Sequence, residues 1–482
     1  MSEPAPSQDG LKRGLKARHL QMIAIGGSIG TGLFVASGGT ISEAGPGGSL
    51  IAYALIGLMV LLLMQSLGEM SARLPVAGSF QTYATVFVNR HFGFAIGWNY
   101  WFNWAITVAA ELVAAGIVMS YWFPDVPSWI WAAVFLALLT GLNALSAKAY
   151  GEGEYWLAMI KVVTVIVFLV CGVAMIFGII GGTSPGFTNW TTGEAPVVGG
   201  WLSIVSVFMI AGFSFQGTEL VGVAAGEAEN PKRDIPKAIK AIFWRIMLFY
   251  IGAIFVIGML IPYTDPSLLS AEATDIATSP FTLVFERAGI AFAAALMNAV
   301  ILSAILSAGN SGLYASARML YSMALDGKAP KIFGRLNRRG VPVPAMLMTA
   351  SVGLFGFLTA IIGQGAAYTW LLNVSGLSGF IAWIGIAVCH YQFRKQYIAS
   401  GQDLKALPYK APLFPLGPIL AFVILIVVIA GQNYQAVIDG RVMEVVSSYI
   451  GLPIFLLLWL GHWLATRKQP AVKVDPWTAE LH

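Results

Sequence analysis

The sequence predicts an all-α polytopic membrane protein with twelve transmembrane helices, on three observations. Of its 482 residues 57% are hydrophobic and only 11% charged, and the mean hydropathy of +0.75 lies outside the range of soluble globular chains. Apolar stretches of about 20 residues, the length that crosses a bilayer, recur along the whole chain. Lysine and arginine gather in alternate connections between them, as the positive-inside rule requires.

The chain begins with a polar, basic segment, 1–19, that carries Lys12, Arg13, Lys16 and Arg18 and lacks the apolar core and small-residue cleavage site of a signal peptide. It is expected to stay attached as a cytosolic tail. The spans follow at 20–45, 47–71, 93–122, 127–147, 154–181, 200–225, 240–262, 285–322, 344–363, 367–392, 412–431 and 446–465, so that 20–465 forms one membrane transport domain. A second cytosolic tail, 466–482, closes the chain. Connections after even-numbered spans hold Arg73, Arg90, Lys148, Lys232, Arg338 and Lys395 among others. Those after odd-numbered spans hold Glu43, Asp125, Glu194, Asp265, Glu272 and Asp275, with Arg287 and Arg441 as basic exceptions. The connections Glu227 to Pro236 and Asp326 to Pro344 are polar and proline-punctuated, and read as short structured loops. The net charge of +5 is spread in short runs between apolar segments, a topology signal and not a nucleic-acid surface. Cys171 and Cys389 lie in apolar spans without disulfide or zinc spacing, and the histidines make no metal pattern.

Two spans are interrupted by glycine, at Gly26 to Gly32 in the first and at Ala211 to Gly217 in the sixth. A bilayer offers no water to loose N–H and C=O groups, so a break at membrane depth survives only where protein or a polar ligand covers it. Paired breaks point to the midplane site of a secondary transporter. The glycines of the first break do not have dinucleotide-fingerprint spacing, and no Walker motif is present. The expected driving force is therefore an ion gradient, or flow is downhill, with no cofactor. The helix restarting near Thr31 and Gly32 presents unpaired N–H groups and a positive dipole end to a carboxylate; the alternative is helix packing through small residues. The second break adds the rings of Phe213 and Phe215 to carbonyls able to accept from an α-ammonium group. Phe213 is the favoured lid, and one of the two rings is expected only to pack.

Glu111, Lys161 and Glu219 are ionisable residues at membrane depth, where such groups are functional candidates. Lys161 starts about two turns, roughly 9 Å, into its predicted helix, so it either snorkels to the cytosol or is buried as a group that loses its proton during a transport cycle. Glu219 gates, binds the substrate, or holds the unwound segment. Tyr100, Trp104, Thr107 and Glu111 follow spacings of four, three and four and share one helix face, either a pocket lining that ends in a carboxylate suited to a cationic side chain or an ordinary packing stripe. Glu69 reads as structural, paired with a loop arginine such as Arg73.

The segments Gly30 to Phe34, Ala44 to Gly47, Phe215 to Leu220, Glu227 to Pro236 and Ala315 to Tyr321 resemble the amino acid permeases of the amino acid–polyamine–organocation superfamily, and the resemblance covers about residues 11–465. Within that family, Leu15 to Ser37, Gly97 to Trp104 and Gly212 to Gly222 are most similar to the bacterial lysine-specific permeases. The resemblance implies a LeuT-like five-plus-five inverted repeat with two further C-terminal helices, in the bacterial cytoplasmic membrane. It implies proton-coupled uptake of L-lysine by alternating access, with both termini cytosolic. It places the substrate carboxylate on Gly30, Thr31 and Gly32, and the α-amino group on the carbonyl of Ser28 and the backbone around Phe213. Lys161 falls where related carriers bind a sodium ion, with Ser307, Ser311 and Ser375 as secondary contacts. Glu111, Lys161 and Glu219 also have counterparts in aromatic amino acid permeases, so arginine, ornithine and aromatic or neutral amino acids stay open as substrates, as does exchange. A channel fits a lidded, broken-helix midplane poorly, and no nucleophile–base pair or metal set supports an enzyme.

Overall fold

The computed structural model describes residues 14–26, 29–76, 78–145, 147–182, 184–268, 279–289 and 291–469. Among these the regular structure is helical, apart from one isolated bridge between Leu15 and Ala228. Among the described residues, eight helices are long and apolar enough to cross a membrane, or nine if the pair Val442–Tyr449 and Gly451–Thr466, bent by 49°, counts as one span. Ser128–Asn143 and Leu416–Gly431 are shorter apolar helices.

The predicted boundary between the first two spans lies inside one continuous stretch, Gly32–Arg73, where Gly45 turns the chain at φ 75°, ψ 171° ahead of Pro46. Only glycine takes that φ without strain. The backbone groups freed there are satisfied from another segment. Gly47 and Gly48 donate to the Pro196 carbonyl at 2.8 and 3.2 Å, and Val198 donates to the Ala44 carbonyl at 3.1 Å. A Cβ at Gly45 would lie 2.7 Å from that Pro196 oxygen.

Several elements differ from the sequence reading. Pro231, at the first turn where its missing N–H is harmless, starts the helix Pro231–Arg245, so that the loop ends at Asn230. The stretch read as one span over 285–322 divides into Pro280–Arg287, capped by the Ser279 hydroxyl, and Ala291–Leu325. A helix not foreseen, Ser79–Phe87, precedes Arg90–Met119, whose N-terminus the Asn89 side chain caps by accepting from His91 and Phe92. The basic exceptions on the odd-numbered connections are each neutralised locally: Arg287 pairs with Asp265, and Arg441 with Asp439 at 3.1 Å and Glu444 at 2.8 Å. Glu272 and Asp275 lie outside the described residues. Glu69 pairs with Arg394 of the helix Gln364–Ala399, and not with Arg73.

Helix Ala147–Ile176 shows how these helices divide their surface. Tyr150, Glu154, Ala158, Lys161, Val165 and Phe168, at helical spacing, are buried, whereas Val163, Val167 and Val170 are exposed. The exposed face is apolar and suits lipid; the buried face holds the charges.

Candidate functional site

Both predicted breaks are present, and they touch. Helix Ala17–Gly26 stops, Ile29 and Gly30 are non-helical, and the chain resumes as a single π-helical segment, Gly32–Ala36. Helix Phe208–Phe215 stops, Gln216 is extended, Gly217 takes φ 98°, and Leu220–Ala224 resumes. The second break is thus confined to Gln216–Glu219; Ala211 to Phe215, read from sequence as part of it, is helical. A Cβ at Gly32 would lie 2.5 Å from Ser214 Cα and 2.9 Å from Ser214 N, so the two broken helices meet backbone against glycine.

A small cavity of about 20 Å³ lies at this junction, lined by Gly30, Gly32, Trp104, Thr107, Glu111, Phe213, Gln216 and Ala308. It has room for about one water molecule, so its walls are drawn in and a larger occupant needs them to part. Helix Arg90–Met119 supplies Trp104, Thr107 and Glu111 from the one face their spacing defines. Thr31 Oγ1 donates to Glu111 Oε1 at 3.1 Å, while Glu111 Oε2 is buried and accepts no hydrogen bond among the described residues. A buried carboxylate oxygen without a donor is unfavourable by several kcal/mol on the usual scale for charged groups; this carboxylate belongs to a residue that lines the cavity. Thr107 continues the polar wall through its hydroxyl, 2.6 Å from Ser375 Oγ, which itself donates to Asn103 Oδ1 at 3.2 Å.

The remaining predicted residues separate by what they touch. Phe213 lines the cavity, and its carbonyl accepts from the Gln216 N–H at 3.0 Å. Phe215 instead stacks on Tyr250, ring centroids 4.0 Å apart, and is wholly buried. Glu219 has both oxygens engaged: Oε1 accepts from Tyr100 at 3.3 Å, and Oε2 from Trp383 Nε1 and the Gly217 N–H at 3.1 Å each. It ties the unwound segment to two neighbouring helices, and Tyr100 is committed to that tie. Lys161 is 0% exposed, which removes the snorkelling alternative, and its Nζ lies 3.8 Å from Glu154 Oε1. Ser307 donates to the same Glu154 oxygen at 2.6 Å, and Ser311 lies 3.1 Å from the Tyr150 hydroxyl. Ser28 lies outside the described residues.

Residues 19–474 match the amino acid permease family. The chain belongs to that family. This permease is 58% identical over 94% of its length to the lysine-specific permease LysP of Escherichia coli (strain K12), covering 93% of that protein. It is 51% identical over 96% of its length to LysP of Lactococcus lactis subsp. cremoris (strain MG1363), covering 91% of that protein. To the histidine permease HisP of the same Lactococcus strain it is 47% identical, over 95% of both chains. It is a multi-pass membrane protein, and its named relatives are permeases, not enzymes.

Two buried charges of the permease are absent from the sequence reading. Glu154 is legible as the residue seven positions before Lys161, two turns back on the same face. Helical side chains lean toward the N-terminus, so the long lysine reaches back to it. Arg245 is 1% exposed and donates to the carbonyl of Ala24, in the last turn of the first half-helix, and to Thr218 Oγ1 in the second break. It therefore caps the negative end of one broken helix while holding the other. Tyr250, beside it, donates to the Ser214 carbonyl at 2.8 Å, and the Tyr53 hydroxyl lies 3.0 Å from Ser214 Oγ.

Proposed function

We propose that this permease takes up L-lysine together with a proton by alternating access, in a bacterial cytoplasmic membrane with both termini cytosolic. The single observation that carries the substrate class is the unpartnered Glu111 Oε2 beside the first break. A lysine zwitterion with its charged side chain has a net charge of about +1 at neutral pH. One free carboxylate in the cavity makes the loaded site neutral, whereas a neutral amino acid leaves that charge buried and uncompensated. The N–H groups at Gly30, Thr31 and Gly32 hold the α-carboxylate, the Phe213 ring closes over the ligand, and Glu111 accepts a hydrogen bond from its ammonium. Glu219, with no spare oxygen, keeps the second break in shape. The two LysP relatives support lysine as the substrate; the histidine permease relative makes histidine the alternative, and the same test separates them.

The architecture supporting this reading has twelve spans. That reading takes the two halves of Gly32–Arg73 on either side of Gly45 as separate spans and counts the bent C-terminal pair and the two shorter apolar helices as spans beside the other long helices. The broken helices fall in the first and sixth, the corresponding members of two five-helix halves, which fits a LeuT-like inverted repeat with two accessory helices. Proton coupling is assigned to Lys161, a buried lysine on the site side of its helix, and the driving force to the proton gradient with no cofactor.

The test is Glu111→Gln on purified protein. Lysine binding is expected to weaken by about 1.5–3 kcal/mol, roughly 10- to 150-fold, with norleucine and histidine binding unchanged or improved. Equal loss for lysine and norleucine assigns Glu111 a structural role, and preferential binding of histidine by the unaltered protein overturns the lysine reading.

A further inference from the structure

A second buried polar cluster surrounds Lys161 and includes Ser307, the chain neighbour of the cavity-lining Ala308. Glu154 is 0% exposed, like Lys161. Glu154 and Glu111 are negative charges near Lys161, and Arg245 is a positive one. The 3.8 Å separation from Glu154 is long for a charge-assisted hydrogen bond, which closes to about 2.7–2.9 Å. Glu154 Oε2 accepts no hydrogen bond among the described residues, although Ser311 and Asn310 flank the carboxyl group. From Ser311 a chain of side-chain contacts continues through two stacked tyrosine rings to Glu227. Its hydroxyl meets Tyr150 OH at 3.1 Å, the Tyr150 ring stacks on Tyr314 with centroids 4.0 Å apart, and Tyr314 OH donates to Glu227 at 2.6 Å. Glu227 also accepts from Arg318 at 2.9 Å, and its carbonyl accepts from Leu15, at the start of the first helix.

We propose that Glu154 receives the proton that Lys161 releases and passes it through Ser311 to Tyr150, an inference that rests on the proton-coupled reading above. In the transfer an Nζ–H bond breaks and an Oε–H bond forms. Ammonium and carboxylate become neutral amine and neutral carboxylic acid, so the buried pair has no net charge before or after. The free lone pairs of Oε2 give the proton a place to land that Ser307, bonded to Oε1, does not occupy. Protonated Glu154 then donates to Ser311 Oγ, that hydroxyl gives its own proton to the Tyr150 oxygen, and Tyr150 releases its hydroxyl proton to cytosolic water when the site opens on that side, which restores the carboxylate and leaves serine and tyrosine neutral. Substrate drives the step electrostatically. A lysine ammonium seated on Glu111 cancels one of the negative charges near Lys161, and the proton moves to Glu154, whose Oε1 lies 3.8 Å from Nζ. Glu154 is thus the residue that converts occupancy of the cavity into proton movement.

The experiment compares wild type, Lys161→Ala, Glu154→Gln and Tyr150→Phe in proteoliposomes. Each is assayed for lysine accumulation driven by an inward proton gradient and for counterflow of labelled lysine without a gradient. Glu154→Gln is expected to lose accumulation, down to the level of protein-free vesicles, while counterflow persists. Accumulation by Glu154→Gln equal to wild type, under conditions where Lys161→Ala fails to accumulate, overturns the relay and leaves the coupling reading standing. Parallel loss of both activities assigns Glu154 a structural role and also overturns it. If wild-type accumulation ignores the proton gradient, the coupling reading itself falls, and the relay with it. Should Glu154→Gln fail to reach the membrane, Tyr150→Phe decides. It removes one hydroxyl from the chain, and undiminished gradient-driven accumulation in that variant overturns the proposal.

Discussion

Gly32→Ala is expected to abolish lysine binding, although it adds one methyl group. The new Cβ would lie 2.5 Å from Ser214 Cα and 2.9 Å from Ser214 N, and backbone cannot rotate away as a side chain can. The two broken helices would have to separate at the point where both contribute to the cavity, and overpacking of this kind costs typically about 1–3 kcal/mol. Position matters more than residue type. Gly30→Ala meets Ala308 Cβ at 3.0 Å and Glu111 Oε1 at 3.1 Å, so its effect should be smaller, while Gly39→Ala, with nothing within 4 Å, should be neutral. Thr31→Ser keeps the hydroxyl that donates to Glu111 at 3.1 Å and should bind lysine normally. Equilibrium binding of labelled lysine to the four purified variants checks the series. Wild-type affinity in Gly32→Ala would show that the breaks do not need to touch.

Arg394→Ala should destabilise the folded protein by about 3–5 kcal/mol, the usual penalty for stripping the partner from a buried charge. Glu69 and Arg394 are both buried; Arg394 Nε donates to Glu69 Oε1 at 2.5 Å and its terminal nitrogen to Oε2, which also accepts from the Ala411 N–H at 2.7 Å. Removing the guanidinium leaves a buried carboxylate with that amide and His390, 3.4 Å away, for support. The double variant Glu69→Gln with Arg394→Ala removes both charges and should recover much of the loss, which a double-mutant cycle with the two single variants in thermal or denaturant unfolding measures directly. Additive losses would mean that the pair is not coupled as the geometry indicates.

What is legible in the sequence divides along physical lines. The breaks are legible because a glycine cluster at membrane depth loosens backbone that only a ligand or a closely packed neighbour can cover. The Tyr100-to-Glu111 face is legible because helical periodicity fixes which residues share a side. Partners far apart in sequence are not. Glu219 is held by Trp383, and Glu69 by Arg394, and no local pattern announces either pairing. Arg245 is hidden because hydropathy places its span from 240 onward, which puts the residue near a membrane edge. The helix in fact begins at Pro231, so that Arg245 lies about 21 Å along its axis. Glu154 is missed in the same way, as the first residue of a hydropathy-defined span, although its spacing of seven from Lys161 marks the shared face; its burial follows from the helix starting at Ala147.

Competition for labelled lysine on the purified protein, with norleucine and cadaverine as competitors, tests most directly whether the first break reads a carboxylate and Glu111 an ammonium. Each analogue lacks one of the two groups and leaves a desolvated polar partner unpaired. Both should therefore compete poorly beside lysine, cadaverine for want of the carboxylate that the Gly30-to-Gly32 N–H groups require. If cadaverine displaced lysine as well as lysine displaces itself, the break would not be a carboxylate site and the protein would be a carrier of polyamines.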